Sequence, residues 1–186
     1  MRLRIAVIFF VLTLLSGCSG REDSLSSAIA LRNKTIDSDG CSFIATITAD
    51  YGEQIYEFKM DCETDKEGNL TFTVAEPATI AGITGEISGS GGGITFDDKV
   101  LAFQTIADGL VTPVSAPWLF IKTLRSGYLK DAAETEQGIE ISIDDSYEEG
   151  SLQLRIRTVN DFPAFAEIFW QNRRILTLTI ENFSFL

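Results

Sequence analysis

The chain has 186 residues, 45% of them hydrophobic, and its 27 acidic residues outnumber its 15 basic ones. This length suits one domain with a sizeable core, and the net charge of −12 speaks against nucleic acid as a partner. The sequence contains no histidine, which excludes Ser-His-Asp and Cys-His catalytic groups and most catalytic zinc sites.

The N-terminus predicts a lipoprotein signal peptide. A basic start precedes an apolar run from Ile5 that is too short to span a bilayer and ends in Leu15-Ser16-Gly17-Cys18. This is the pattern of a bacterial lipobox, in which the cysteine sulfur accepts a diacylglyceryl group and a peptidase cleaves before Cys18. We therefore expect a signal peptide at 1–17 and a mature chain anchored to the outer, extracytoplasmic face of the cell membrane. The alternative is an ordinary secretory signal in which Cys18 is incidental.

Cleavage lowers the basic residues from 15 to 13 against 27 acidic ones, which gives the mature chain a net charge of −14. An anionic lipid surface repels such a domain, so we expect the acyl anchor, and no basic patch, to hold it at the membrane. After Cys18, residues 19–23 are interpreted as a polar tether and residues 24–33 as a short amphipathic helix. This leader, 18–38, precedes one domain at 39–186.

Two cysteines remain after Cys18 is assigned to lipid. The segments that begin at Cys41 and end at Cys62 both alternate in hydrophobicity, which predicts a β-hairpin. A two-residue loop at Tyr51-Gly52 places Cys41 opposite Cys62 in a non-hydrogen-bonded pair, whose Cα separation of about 4.5 Å suits a disulfide. We predict this cross-strand bridge, and two free buried thiols are the alternative. No metal site is expected from two thiols without histidine.

The remaining pattern also alternates with period two and is interrupted by regular turns, which is typical of an antiparallel meander. One internal helix is predicted from Ser115-Ala116-Pro117 to a stop at Gly127, because proline is favoured in a first turn and glycine just after a helix end. Its expected apolar stripe is Pro117, Ile121, Leu124 and Tyr128. Predicted strands lie at 70–74, 80–87, 94–96, 100–103, 139–143, 152–156, 164–170 and 175–185, with Ile139, Ile141 and Ile143 opposite Leu152, Leu154 and Ile156.

The late segment Phe162-Pro163-Ala164-Phe165-Ala166-Glu167-Ile168-Phe169-Trp170, followed by Arg174 to Phe183, resembles the last strand pair of the LolA-like superfamily of bacterial lipoproteins and lipoprotein localisation factors. The segment from Ser115 to Lys122 is similar to the internal helix of small membrane-anchored Gram-positive members of unassigned role. The resemblance implies a mainly β fold with α (α+β), in which a strongly curved, unclosed antiparallel half-barrel accompanies a short N-terminal helix and one internal helix. In that family, acyl chains can occupy the apolar space between sheet and helices.

The resemblance and the anchor lead to two functional hypotheses. In the first, the protein binds or transfers a hydrophobic ligand, an acyl chain or lipid, with Phe43, Phe58, Met60, Phe72 and Trp118 as candidate ligand-binding residues. In the second, it is a non-catalytic structural or protein-interaction lipoprotein whose core the same side chains fill. A binder needs an apolar cavity, whereas a filled core leaves none. No catalytic residue and no cofactor is expected.

Acidic pairs and one tryptophan are also weighed as sites. The pairs at 97–98, 144–145 and 148–149 are interpreted as solvated turns, because each lies at a predicted reversal and strand neighbours point to opposite faces.

Trp118 falls at helical spacing with Lys122 and Arg125, away from the apolar stripe of the internal helix. It either guards a pocket or touches lipid head groups, or it is covered by a loop.

Overall fold

A computed structural model describes residues 19–52, 54–89, 107 and 109–186. Within them the chain forms two α-helices, a short 3-10 helix at Pro113–Ser115 and nine β-strands. No helix in this part of the chain has both the length and the apolar character that a bilayer span requires. The helices are α1 (Ser19–Asp37) and α2 (Ala116–Ser126), and the strands are β1 (Cys41–Asp50), β2 (Ile55–Thr64), β3 (Leu70–Glu76), β4 (Thr84–Ile87), β5 (Tyr128–Thr135), β6 (Gly138–Asp144), β7 (Gln153–Val159), β8 (Phe162–Trp170) and β9 (Arg173–Phe185).

The strands form one antiparallel sheet in the order β4-β3-β2-β1-β9-β8-β7-β6-β5. Two meanders, β1 to β4 and β5 to β9, are joined where β1 pairs with β9. Among the described residues β4 and β5 are the two edges, so the sheet is not closed into a barrel. The predicted mainly β fold, an unclosed antiparallel half-barrel with two helices, is confirmed. The predicted strands at 94–96 and 100–103 lie outside the described residues.

Both helices pack on the second meander. Helix α1 lies against β5, β6 and α2, and α2 lies against β6 and β9. The predicted internal helix is confirmed and ends before Gly127, where an added Cβ would come within 2.6 Å of Ile143 Cγ2, so only glycine permits this close approach to β6. Of the predicted stripe, Tyr128 is already the first residue of β5. The buried face of α2 is wider than predicted and comprises Ala116, Pro117, Leu119, Phe120, Ile121, Thr123 and Leu124.

The predicted tether at residues 19–23 is wrong, because α1 begins at Ser19 and runs on to Asp37. Cys18, the predicted lipidation site, lies outside the described residues. The inward face of α1 consists of Ser24, Ala28, Leu31 and Thr35, all buried.

The β1–β2 hairpin forms as predicted, but its register is displaced by two residues. Cys41 pairs with Thr64, and Cys62 pairs with Phe43. The strands are joined from Asp50 to Ile55, so the connection is longer by two residues than the two-residue loop that was expected. The predicted Cys41–Cys62 bridge is absent from this structure, because the two cysteines are not opposite each other and both are free and buried.

The β6–β7 hairpin shows the same displacement. Ile141 pairs with Ile156 and Ile143 with Leu154, while Ile139 lies opposite Thr158. At the base of its long loop, Asp145 N donates a hydrogen bond to the Leu152 carbonyl, and the Asp145 carboxylate accepts one from Leu152 N at 2.8 Å.

The last hairpin, between β8 and β9, has a shorter turn than predicted. Its turn is Gln171-Asn172, with φ of 49° and 62°, as in the two-residue turns that suit twisted strands.

Candidate functional site

Four of the five residues predicted to bind a ligand lie in the hydrophobic core. Phe43, Phe58, Met60 and Phe72 are at most 3% exposed. The Phe43 ring packs edge-on against Phe120 at a centroid distance of 5.9 Å and stacks on Phe183 at 5.7 Å. These residues come together as predicted, on one face of β1 to β3. They pack there as core side chains, which agrees with the filled-core hypothesis for this half of the sheet.

Trp118 lies on the half-exposed face of α2 together with Lys122, as its helical spacing predicts. The Lys122 Nζ is 5.6 Å from the centre of the indole ring, a cation–π arrangement. The ring also packs partly against the core. Trp118 does not line any of the cavities described below, so the structure does not join it to the four core residues in one site.

A half-open, partly apolar cavity of about 340 Å³ lies between α1 and the β6–β7 hairpin. Its deep walls are Ala28 and Leu31 from the helix and Ile141 from the sheet, each no more than 6% exposed. Polar side chains, including Lys34 and Asp161, line other parts of it. The lining residues are Ser27, Ala28, Ala30, Leu31, Lys34, Ile139, Ile141, Thr158 and Asp161.

The sequence of α1 explains the space. Three of the four buried side chains on its inward face, Ser24, Ala28 and Thr35, are small, and only Leu31 is long. Of these, Ala28 lines the cavity, and its small side chain leaves room between the helix and the sheet. The sequence analysis missed this cavity, because the apolar residues of 24–33 lie on both sides of the helix: Ala28 is buried, whereas Leu25 and Ile29 are exposed.

Two arginines hold α1 over the cavity. Arg32 donates hydrogen bonds from Nε to the Leu124 carbonyl and from Nη2 to the Gly127 carbonyl, both at 2.8 Å. Arg125 reaches back from α2 and donates to the Thr35 carbonyl at 2.8 Å. Burial lowers the pKa of Arg32, but an arginine remains charged in proteins. The guanidinium groups thus join the end of α2 to α1 through charged hydrogen bonds.

A second, wider cavity of about 780 Å³ lies over strands β1 to β4. Its lining includes the carboxylates of Asp61, Glu63 and Glu86, which are exposed. Phe43 and Phe72 border it but contribute almost no exposed surface. An open, acidic trough of this kind does not suit an alkyl chain, because the chain would leave its apolar surface in contact with water and carboxylates.

The titratable groups of the described residues include two buried cysteines and the acidic pair at 144–145. No group of three or more acidic or cysteine side chains is placed there to hold a metal ion. Burial raises the pKa of both the Cys41 and the Cys62 thiols, which keeps them protonated at neutral pH. Asp144 forms an ion pair with Lys130 at 3.0 Å beside the β6–β7 loop. The acidic pair at 97–98 lies outside the described residues.

The chain was compared with known proteins at the level of sequence and of structure. No protein-family model matches it, and no curated protein matches its sequence. A LolA superfamily protein of Nitrosomonas europaea is 10% identical, with a TM-score of 0.40 over 86% of this chain and 93% of that one. A conserved protein of Thermus thermophilus is 10% identical, with a TM-score of 0.43 over 88% of each chain. A DUF1329 family protein of Desulfovibrio piger is 7% identical, with a TM-score of 0.41 over 90% and 93%. The chain is thus similar, at low sequence identity, to solved structures that include one LolA superfamily protein.

Proposed function

We propose that this protein is an extracytoplasmic lipoprotein, anchored to the membrane at Cys18, that binds the alkyl chain of a lipid between α1 and the β6–β7 hairpin. The observation that carries the proposal is the half-open, partly apolar cavity of about 340 Å³ beneath α1. The proposal replaces Phe43, Phe58, Met60 and Phe72 as ligand contacts with residues of this cavity. It assigns no catalytic step.

The size and lining of the cavity support a binding role. Protein interiors are close-packed, with few voids larger than a water molecule. Ligand pockets occupy about 300–1,000 Å³ and are mostly apolar, with a small number of polar groups. The cavity is at the lower end of that range, which favours one alkyl chain over two. Burial of the chain against Leu31 and Ile141 is favourable by about 0.8 kcal/mol per methylene group.

The position of α1 supports a site close to the membrane. Because α1 includes Ser19, a lipid on the neighbouring Cys18 would lie close in sequence to a helical segment. The cavity residues of α1 run from Ser27 to Lys34. At about 1.5 Å per residue, they lie roughly 12–23 Å along the helix from Ser19. An anchored protein therefore holds the cavity within a short distance of its source of lipid.

The alternative function, a non-catalytic interaction module, is favoured by one observation on the same helix. Leu25, Ile29 and Ile36 form an apolar stripe on α1 and are 40%, 44% and 41% exposed. Their spacing places them on one side of the helix, next to its buried face. A protein partner that covers this stripe would not need the cavity, so the two functions respond differently to a change in the cavity alone.

A cavity-blocking variant tests the proposed function. Ala30 lines the cavity from the exposed side of α1, so Ala30→Trp places an indole there without disturbing the core. Ser26→Trp is the matched control, because Ser26 is also exposed on α1 but does not line the cavity. Every contact described above lies within residues 19–186, so this segment is purified without detergent and titrated with a fluorescent C16 fatty acid.

We expect saturable binding by the wild-type domain and by Ser26→Trp, and at least a tenfold loss of affinity in Ala30→Trp. Solvent extraction of the domain followed by mass spectrometry is expected to yield co-purified lipid. No uptake by the wild type together with an empty extract would refute lipid binding. Equal binding by the two tryptophan variants would refute this cavity as the site.

A further inference from the structure

One lysine among the lining residues of the cavity is held on aromatic rings. The Lys34 Nζ is 4.6 Å from the ring centre of Phe185 and 5.3 Å from that of Phe162. Lys34 follows Leu31 by three residues, so its stem rises from the same side of the helix as the cavity wall. The rings attract the ammonium group through their quadrupoles and hold it at the rim, since neither ring lines the cavity itself.

Lys34 belongs to the half of the described basic side chains that form no ion pair. Among the described residues, six ion pairs of 4.0 Å or less are formed, by Arg21, Lys59, Lys66, Lys130, Arg173 and Arg174. Lys34 takes part in none of them. The aromatic faces hold its ammonium group but carry no net charge that would neutralise it. The cavity thus has a fixed positive charge that the described carboxylates leave available to an anion.

The carboxylate of Asp161 limits which anions can bind next to Lys34. Asp161 also lines the cavity, from the turn between β7 and β8, where its φ is 65°. This carboxylate repels any anion, and it repels a head group with two negative charges more strongly than one with a single charge. Lys34 and Asp161 together therefore favour a head group with one negative charge over one with two. The apolar walls favour a ligand in which an alkyl chain is attached to that head group.

We propose that the ligand of this cavity is a single-chain amphiphile with one negative charge, and that Lys34 binds its head group while the chain lies between α1 and the β6–β7 hairpin. This inference rests on the proposed function and adds the class of ligand. A fatty-acid carboxylate and the phosphodiester of a lysophospholipid share this chemistry. The acidic remainder of the domain makes the local charge of Lys34 necessary for either one.

The test compares ligands that differ only in their heads. Palmitate, lysophosphatidylglycerol with a C16 chain, and hexadecanol are each used to displace the fluorescent fatty acid from the domain. Lys34→Met removes the charge and keeps the apolar stem, and Lys34→Arg keeps the charge. Lys66→Met is the control, because Lys66 is an exposed lysine paired with Asp39 and does not line the cavity.

We expect the wild type to prefer palmitate and the lysophospholipid to hexadecanol by about twofold to fivefold, as for an exposed charge pair. Lys34→Met should abolish this preference, while hexadecanol binds as before and added salt weakens only the two anions. Lys34→Arg and Lys66→Met should retain the preference. If only one anion depends on Lys34, that anion identifies the head group.

Two results would overturn the inference, and they differ from failure of the proposed function. Equal affinity of the wild type for all three ligands would show that the head group is not recognised. A Lys34→Met variant that loses hexadecanol and palmitate alike, or that keeps the preference, would show that its charge does not bind the head. If the wild type binds none of the three, the cavity is not a lipid site, and the inference fails with it.

Discussion

The attachment of α1 to α2 through Arg32 makes a strong prediction about stability. Helix α1 forms one wall of the cavity, and Arg32 donates two hydrogen bonds of 2.8 Å to carbonyls at the end of α2. In Arg32→Met the apolar stem is retained, so the variant removes the charge and both hydrogen bonds with little change in packing. The fold remains, but α1 loses its clamp.

The magnitude follows from the environment of the guanidinium. Hydrogen bonds to a charged group contribute about 1.5–3 kcal/mol each, and a cation near a helix C-terminus adds about 0.3–1 kcal/mol. Because Arg32 is only part-buried, water can replace part of both interactions after the substitution. We therefore expect a loss of about 2–3 kcal/mol in the free energy of unfolding, or roughly 4–12 °C in Tm for a domain of this size.

Urea unfolding followed by circular dichroism measures this loss, and hydrogen exchange of α1 shows where it acts. Arg21→Met is the matched control, because Arg21 lies on the same helix, and its ion pair with Asp131 joins side chains that are 78% and 52% exposed. Such a pair contributes about 0.2–1 kcal/mol. If the two variants lose the same stability within about 0.5 kcal/mol, Arg32 does not clamp the helix, and the reasoning is refuted.

Two further predictions concern the sheet. Cys41 and Cys62 are buried thiols with raised pKa values. A thiol reagent at pH 8 should therefore modify them only after denaturation. Rapid reaction of the native domain would contradict their burial. Gly138→Ala should lower the free energy of unfolding by about 3 kcal/mol or more, as measured by thermal unfolding. The φ of Gly138 is +127°, and the new Cβ would lie 1.8 Å from the Thr158 carbonyl oxygen. Gly150→Ala, at φ +84° with no atom within 4 Å of its Cβ, should cost only about 1 kcal/mol, and equal losses would contradict the close contact.

The hairpins show what the sequence could and could not predict. Alternation correctly assigned Phe43, Ile47 and Met60 to the buried face of β1 and β2. The loop length was wrong by two residues, which changed the partner of Cys41 from Cys62 to Thr64. Because side chains alternate with period two, a displacement of two leaves every residue on its predicted face and changes only its neighbour. The core was therefore predictable, and the disulfide was not.

The site was less predictable than the fold. The sequence analysis chose large side chains such as Phe58 and Phe72 as ligand contacts, and the structure buries them in the core. The cavity is instead an unfilled space between Ala28 on α1 and Ile141 on β6. These two elements are far apart in the chain. A gap between a helix and a sheet is a property of their packing distance, and a pattern within one element does not contain it.

The position of a bound alkyl chain tests the central claim most directly. Methyl NMR spectra of the domain, isotope-labelled at leucine, isoleucine and methionine, are recorded with and without palmitate. Chain binding beneath α1 predicts that the methyl signals of Leu31, Ile139 and Ile141 shift, while those of Ile47 and Met60 stay in place. Shifts confined to Ile47 and Met60, or no shift at saturating palmitate, would contradict the account.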